Sequence, residues 1–545
     1  MSPRQQGWAW AALLLVFVLL RVGLILADPS RFWAIEETYQ ADMALDLARG
    51  QQLEALPAYL YPLFAGGTLV DGLAVAALAS VFGPSWWLLK GLALLIALTA
   101  SAVLVATVRR AVGLGPALAL GALLAWAPAS MATLQMFLHG NHAESALPLA
   151  LTAAAVWAFI ERDRSAGGRA RLAVALGLLC GFSVFFVYSH LVVTALAAGL
   201  LVVAPLPATR RLGALALAAA GFAVGLLPWV ACRVFLGEPL RFLSAAGGPM
   251  DFVRALASPD GVLQIAEAFA LLPWLGTMEG KPWASLLSPA FAVPGSALLW
   301  SARVLLLASL LAALGLGLAR RVRQQQGWVL PTFFGAHGLG LLLLVSISSI
   351  EPRYAQQLAP DALVALVLVG DAARTRLGAP RWLTALVLAI PLTLATLDVA
   401  ALADTPAPGL RALGDRGLQR FSCGRQTSTL QGFRRDELPG ISLWLRTRSP
   451  SDADLGFGLG FPDSARPLGP RPGMAPPDRV EAAWTETWGR DRVLDRTLML
   501  QGLGAAAVVR HGGNLQGALG AFVGSADQRI PYGRGATWMA EQLAR

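Results

Sequence analysis

Two carboxylates stand side by side at Glu36-Glu37, just past the first hydrophobic segment, in the run Ile35-Glu36-Glu37-Thr38-Tyr39. Neighbouring side chains on a helix point about 100° apart, so one can face a cleft while the other braces it. Asp42, Asp46 and Arg49 extend the run as an amphipathic helix that ends at Gly50, a natural C-cap. Keeping a polar face wet accounts for Asp42 and Asp46. It accounts less well for an adjacent pair at the edge of an apolar segment, where charge is costly and usually marks chemistry. A second cluster is His139-Gly140-Asn141-His142-Ala143-Glu144, where Glu144 opens an otherwise apolar run. Two histidines and a glutamate in six residues can hold a metal, or hold a phosphate beside an acid. Polar ends of interfacial helices are also common. A third is Glu351-Pro352-Arg353-Tyr354. Pro352 sets a tight turn, and Arg353 carries a charge it cannot lose, suited to a lipid phosphate through charge-assisted hydrogen bonds. Capping a helix end would use it equally well.

The elements that must position these residues are membrane spans. Of 545 residues, 56% are hydrophobic and only 14% charged, against about 25% charged in a soluble globular chain. Mean hydropathy is +0.58. The net charge of +10 would fit nucleic acid if the basic residues formed one face. They sit instead as short clusters between apolar runs, which excludes that reading and is the signature of membrane orientation. Cys180, Cys232 and Cys423 have no spacing of a disulfide framework or metal knuckle. No phosphate-binding glycine loop or dinucleotide fingerprint is present.

Runs long enough to cross a bilayer fall near 8–27, 86–107, 113–134, 144–160, 172–190, 191–208, 212–232, 301–319, 328–350, 356–373 and 382–402, about eleven spans at roughly 20 residues each. The first is too long for a signal-peptide core and is read as an uncleaved helix. Arg109-Arg110, Arg162 to Arg171, Arg210-Arg211, Arg320 to Arg323 and Arg374 to Arg381 occupy every second connection. The positive-inside rule makes those connections, and the N-terminus, cytoplasmic. The other connections, and the tail from residue 403, then face outward. Residues 67–82 are helical in texture but short, and they carry Asp71. They are read as a juxtamembrane or re-entrant helix in the first outer loop. The tail is rich in Gly, Pro and Arg, with an irregular Pro-Gly stretch at 467–477 and enough apolar pattern for a small folded domain. No motif in it carries chemistry.

The outward loops thus bring carboxylates and cations to one membrane face. A base that deprotonates or orients an acceptor, with a cation that neutralises a departing phosphate, is what glycosyl transfer from a lipid-phosphate sugar requires. At this point the chain resembles GT-C-superfamily glycosyltransferases of the dolichyl-phosphate-mannose–protein mannosyltransferase and aminoarabinose-transferase type. The order of motifs carries the resemblance: Glu36-Glu37-Thr38-Tyr39 through Leu47-Ala48-Arg49-Gly50; Pro57-Ala58-Tyr59-Leu60-Tyr61-Pro62; Phe82-Gly83 and Lys90; Glu144 at the head of a span; and Arg353-Tyr354 with Pro360. It covers about residues 1–400. The family's first acid is usually Asp, where this chain has Glu36.

The resemblance implies a mainly α, polytopic helix bundle over 1–402, with juxtamembrane helices in the first outer loop. Residues 403–545 are then a small extracytoplasmic domain. It implies an inverting transfer of a sugar from a polyprenyl-phosphate donor to a glycan, lipid or protein acceptor at the outer face of the inner membrane. Glu36 is the candidate base, with Glu37 second and Glu144 in the same cleft. Tyr39, Tyr61, His139 and His142 are candidate substrate contacts. Arg353 and Tyr354, with Lys90 and Lys281 as lesser candidates, would hold the lipid phosphate. Some members of the family use a divalent metal and others none, so no cofactor is assigned. Two rival readings remain: a transporter or flippase of lipid-linked substrates, and a non-catalytic relative that acts as a scaffold.

Overall fold

The computed structural model describes residues 2–27, 44, 47, 66–83, 86–138, 143–162, 165–236, 289–347, 358–376, 378–404 and much of 500–544. The chain divides into two compact units, Met1–Phe32 with Tyr61–Thr405 and Trp33–Leu60 with Pro406–Arg545. No strand occurs among the described residues.

The first unit is a helix bundle. In chain order its helices are α1 (Pro3–Ala27), α2 (Gly67–Phe82), α3 (Trp86–Val112), α4 (Leu114–Ala125) and α5 (Ala129–Leu134), then a short 3-10 turn at Ala143–Ser145. They continue with α6 (Ala146–Ile160), α7 (Ala166–Phe186), α8 (His190–Val202), α9 (Ala208–Gly225), α10 (Leu227–Leu236), α11 (Pro289–Val322), α12 (Val329–Ile347), α13 (Leu358–Arg376) and α14 (Arg381–Asp404). Among the described residues, six segments are long and apolar enough to cross a membrane: Pro3–Leu26, Trp87–Val112, Ala143–Ile160, Ala166–Phe186, Ala208–Cys232 and Trp300–Val322. Shorter apolar helices include Gly67–Phe82, Leu114–Ala125 and His190–Val202.

Local chemistry sets the boundaries. Ser165 caps α7 by accepting a hydrogen bond from the Gly168 backbone N–H at 3.2 Å, which satisfies one orphan donor of the first turn. Gly113, at φ 105° between α3 and α4, takes a conformation closed to other residues. The expected single run 113–134 is broken in two, because Pro128 follows Trp126 and Ala127 and cannot continue the ladder.

The centre of the bundle is α13. Every residue from Leu358 to Leu368 is buried, as expected of a helix that is apolar around its whole circumference. It packs against α3, α4, α11, α12 and α14. The closest pairing is α7 on α9. A methyl group added at Gly177 or Gly181 would run into the α9 backbone at Ala218 or Phe222, and one at Gly221 or Gly225 into α7 at Val174 or Leu178. Small residues four apart on both helices let the backbones touch, which is how helices associate where lipid removes the hydrophobic drive. Outward faces stay apolar: Leu15 and Leu19 on α1, Leu212 on α9 and Leu386 on α14 are exposed.

The arginine-rich connections share one end of the bundle. Arg321 donates to the Val203 carbonyl at 3.0 Å, and Arg211 to the Val202 carbonyl at 2.9 Å. Arg376 donates to Gln325 at 3.0 Å, and Arg320 to the Gly327 carbonyl at 2.7 Å. Glu161 accepts from the backbone N–H groups of Trp328 and Val329 at 2.8 and 3.0 Å, so it caps the N-terminus of α12.

In the second unit, α15 (Leu515–Gly520) packs on α16 (Ala526–Ala544). Tyr532 donates to the Ala518 carbonyl at 3.1 Å. A methyl group at Gly535 would strike the Gln501 backbone, and one at Gly504 the Tyr532 backbone.

Candidate functional site

Polar side chains gather at the end of the bundle away from the arginine-rich connections. The entry to α2 is fixed first: the Gly66 N–H donates to the Phe185 carbonyl at 2.8 Å, and any side chain at 66 would collide with the Phe185 ring. This seats Asp71, in the second turn of α2, inside the protein at 2% exposure. Lys90, one turn into α3, is 1% exposed, with Nζ 4.5 Å from the centroid of the Phe137 ring. Glu144, 3% exposed, lies in the 3-10 turn that heads α6 and packs against α3. Asp71 and Glu144 are near enough that each carboxylate feels the other's charge. Like charges in a buried setting repel unless a cation or a proton stands between them, and Lys90 brings a cation to the same end. Lys90 and Glu144 are both engaged in polar interactions. Asp71 Oδ2 has no hydrogen-bond partner among the described residues.

A second buried polar group lies deeper. His190, the first residue of α8, His337 on α12 and Asp361 on α13 are all at 0% exposure. His337 Nδ1 and Asp361 Oδ2 are 2.7 Å apart. His190 and His337 are near enough that a charge on one would be felt at the other, and the Ser145 backbone, next to Glu144, adjoins the His190 ring.

Arg21 on α1 is also fully buried, and its role is structural. It donates to the carbonyls of Phe17, Leu124 and Ala125 at 3.1–3.3 Å and to Gln135 Oε1, from Nε, at 3.0 Å. The guanidinium also covers the Phe17 ring, 3.4 Å from its centroid. It is thus spent on the C-terminal carbonyls of α4, where a cation is favoured by the helix dipole.

Of the residues singled out from sequence, Glu144 and Lys90 are described, and they come to the same end of the bundle. Glu36, Glu37, Tyr39, Tyr61, His139, His142, Lys281, Arg353 and Tyr354 lie outside the described residues. Among the described residues no group of three His, Cys, Asp or Glu side chains is arranged to hold a metal ion. The metal reading of the second cluster depends on His139 and His142. Sequence reasoning treated Asp71 only as an obstacle to membrane crossing, and passed over His190, His337, Asp361 and Arg303. The available signal was a lone ionisable residue inside an apolar run, which in a membrane protein is a candidate for function by default.

No family model and no curated protein sequence matches this chain. Solved structures do. The oligosaccharyltransferase of Archaeoglobus fulgidus in its apo form aligns with a TM-score of 0.44 and 14% identity, over 77% of this chain and 59% of that one. ArnT from Cupriavidus metallidurans bound to undecaprenyl phosphate aligns with a TM-score of 0.38 and 16% identity, over 100% of this chain and 76% of that one. The chain spans little more than half the length of the archaeal structure it matches.

Proposed function

We propose that this chain is a polytopic membrane glycosyltransferase that moves a sugar from a polyprenyl-phosphate donor to a glycan, lipid or protein acceptor at the outer face of the inner membrane. The observation that carries the reading is the buried grouping of Asp71, Lys90 and Glu144 at the end of the bundle opposite its arginine-rich connections. A buried ammonium at the same end of the bundle as buried carboxylates supplies the two kinds of group that phosphate release and acceptor activation need. The motif order from Glu36-Glu37 to Arg353-Tyr354 adds the remaining parts. Glu36 orients or deprotonates the acceptor hydroxyl, and Glu37 braces the site. Glu144 lines the cleft with His142. Arg353 and Lys90 neutralise the phosphate as the sugar leaves. Residues 1–402 form the membrane domain and 403–545 an outer domain.

The reading is tested by mass spectrometry of envelope glycans and lipid-linked sugars from cells with and without the gene. Loss of one glycan modification, with accumulation of one polyprenyl-phosphate sugar, is the expected result. Unchanged glycans and unchanged lipid-linked sugars would overturn it.

One observation favours a second reading. Transporters place charges in the bundle interior, and the His337–Asp361 pair with His190 is such a placement. Redistribution of a lipid-linked sugar between the two leaflets of proteoliposomes, without any transfer, would select the transporter.

A further inference from the structure

His190, His337 and Asp361 take no part in the transfer chemistry proposed above, and their polar atoms do not add up. Asp361 Oδ2 meets His337 Nδ1 at 2.7 Å. The remaining polar atoms, Asp361 Oδ1, His337 Nε2 and both ring nitrogens of His190, make no hydrogen bond within the described residues. Thr152 Oγ1 on α6 is in the same condition. All four residues are at 0% exposure. A buried polar group left unsatisfied costs about 1–3 kcal/mol. Asp361 Oδ1, His337 Nε2 and the His190 nitrogen that does not face the Ser145 backbone would together cost about 3–9 kcal/mol, comparable with the whole stability of an ordinary domain. Something polar therefore completes them.

The packing brings these groups together deliberately. α8 packs on α6 and α12, and α12 packs on α13. Gly340 lets α12 approach Val192 of α8, where an added methyl group would sit 3.2 Å from it. Gly338 lets α12 approach α13, where a methyl group would sit 3.3 Å from Cβ of Asp361. His337 lies between those two approaches, backed by the Phe333 ring stacked at 6.2 Å between centroids. Interior waters take such places, each typically making about three hydrogen bonds to groups that would otherwise be orphaned.

We propose that the bundle interior between α6, α8, α12 and α13 is a hydrated proton-binding site, in which bound water joins His190 to the His337–Asp361 pair. The neutral imidazole of His190 accepts a proton from a protonated water of this site on one ring nitrogen and gives the proton of the other to a neighbouring water, so the ring ends neutral and the charge stays with the water. The Ser145 backbone lies beside His190, so the site opens toward the turn that carries Glu144. The other ionisable groups on elements packed against it are Cys180 on α7, Tyr188 in the turn before α8 and Arg303 on α11. Arg210 and Arg211 on α9, Arg320 and Arg321 on α11, and Asp371, Arg374 and Arg376 on α13 belong to the arginine-rich end.

The test uses the full chain in lipid nanodiscs and needs no sugar substrate, so its outcome is independent of the transferase reading. Hydroxyl radicals generated in place by X-ray pulses label side chains that touch bound water. His190 and His337 should label several-fold faster than Phe159 and Phe334, which are equally buried in the apolar core. Labelling as slow as at those phenylalanines overturns the site. In His190→Phe the labelling of His337 should fall several-fold; unchanged labelling overturns the shared water. If that variant fails to fold, the wild-type comparison still decides. The chain has five histidines, so 15N-labelled imidazoles can be assigned by single substitution. Ring 15N–H signals of His190 that weaken when the water resonance is saturated support proton exchange with bound water. Signals untouched by that saturation overturn it.

Discussion

A lysine buried to 1% exposure is held against a large desolvation cost, and at Lys90 that cost goes into the same end of the bundle as two carboxylates. Lys90→Met keeps the length of the side chain and removes the charge. If Lys90 serves the donor phosphate, transfer should fall at least tenfold, in line with the roughly 2–5 kcal/mol lost when a buried charged partner is removed. The folded protein should still be recovered. Transfer measured on purified protein with a thermal unfolding curve beside it reads both, and full activity in a folded variant removes Lys90 from the site. If Glu36 is the base, Glu36→Gln, which keeps size and polarity but cannot take the proton, should drop transfer about 10²–10⁴-fold. Glu36→Asp is sharper. A carboxylate displaced by about 1 Å can cost about 10²-fold, so a site rebuilt around glutamate makes Asp worse, whereas a decayed aspartate site makes it better. Retained transfer in Glu36→Gln with loss in Glu144→Gln would mean that the motif is misaligned. For the phosphate, Arg353→Ala should weaken donor use far more than Arg110→Ala in a donor-binding assay; equal small effects would exclude Arg353. Arg320 is unsuitable as the control, because it is nearly buried and its Nη1 holds the Gly327 carbonyl at 2.7 Å.

Helices were largely legible in the sequence because apolar length is a strong signal, and every expected apolar run contains a helix among the described residues. What escaped was where a helix stops inside an apolar stretch. Hydropathy averages over Pro128, yet the missing N–H there ends one helix and starts another. The seam between the expected runs 172–190 and 191–208 falls at His190, but that histidine was not read as a buried polar group. Burial depends on what packs against a residue, and only the contacts of α8 with α6 and α12 reveal it. For the same reason Asp71 looked like a defect in a marginal helix until Gly66 was seen docked on Phe185. The glycine seam between α7 and α9 yields a prediction at this scale. Gly181→Leu adds a side chain where even one methyl group meets the Phe222 backbone. The two helices must move apart, with a cost of about 1–3 kcal/mol or more for overpacking. Thermal unfolding in detergent should shift down, while Gly199→Leu, where a methyl group meets nothing within 4 Å, should leave it nearly unchanged. Equal midpoints for the two variants would show that the seam does not hold the bundle.

Orientation belongs to the molecule as a whole. Arginines far apart in sequence meet at one end of the bundle, through Arg211 and Arg321 on the α8–α9 connection and Arg376 on the α11–α12 connection. Asp71, Lys90 and Glu144 are brought together at the other end. A bilayer that retains positive charge on the cytoplasmic side would therefore place the acids outside, where a lipid-linked donor presents its sugar after flipping. The hypothesis fixes three points at once. Reporter fusions at Gly50, Ser165 and Gly409 should read outside, inside and outside. Ser165 is the strongest of the three, since it caps α7 beside Arg162 and Glu161, and Glu161 ties that connection to the α12 N-terminus at 2.8 Å. An inside signal at Gly409 with an inside signal at Ser165 would mean an even number of spans between them and the N-terminus. One of the short apolar helices after Ser165, such as His190–Val202, would then not cross. If Gly67–Phe82 crosses, the fusion at Ser165 reads outside instead, the arginine-rich end faces outward, and the acids face the cytoplasm. No donor sugar held on the outer leaflet could reach them, and the outer-face transferase would fall with the topology.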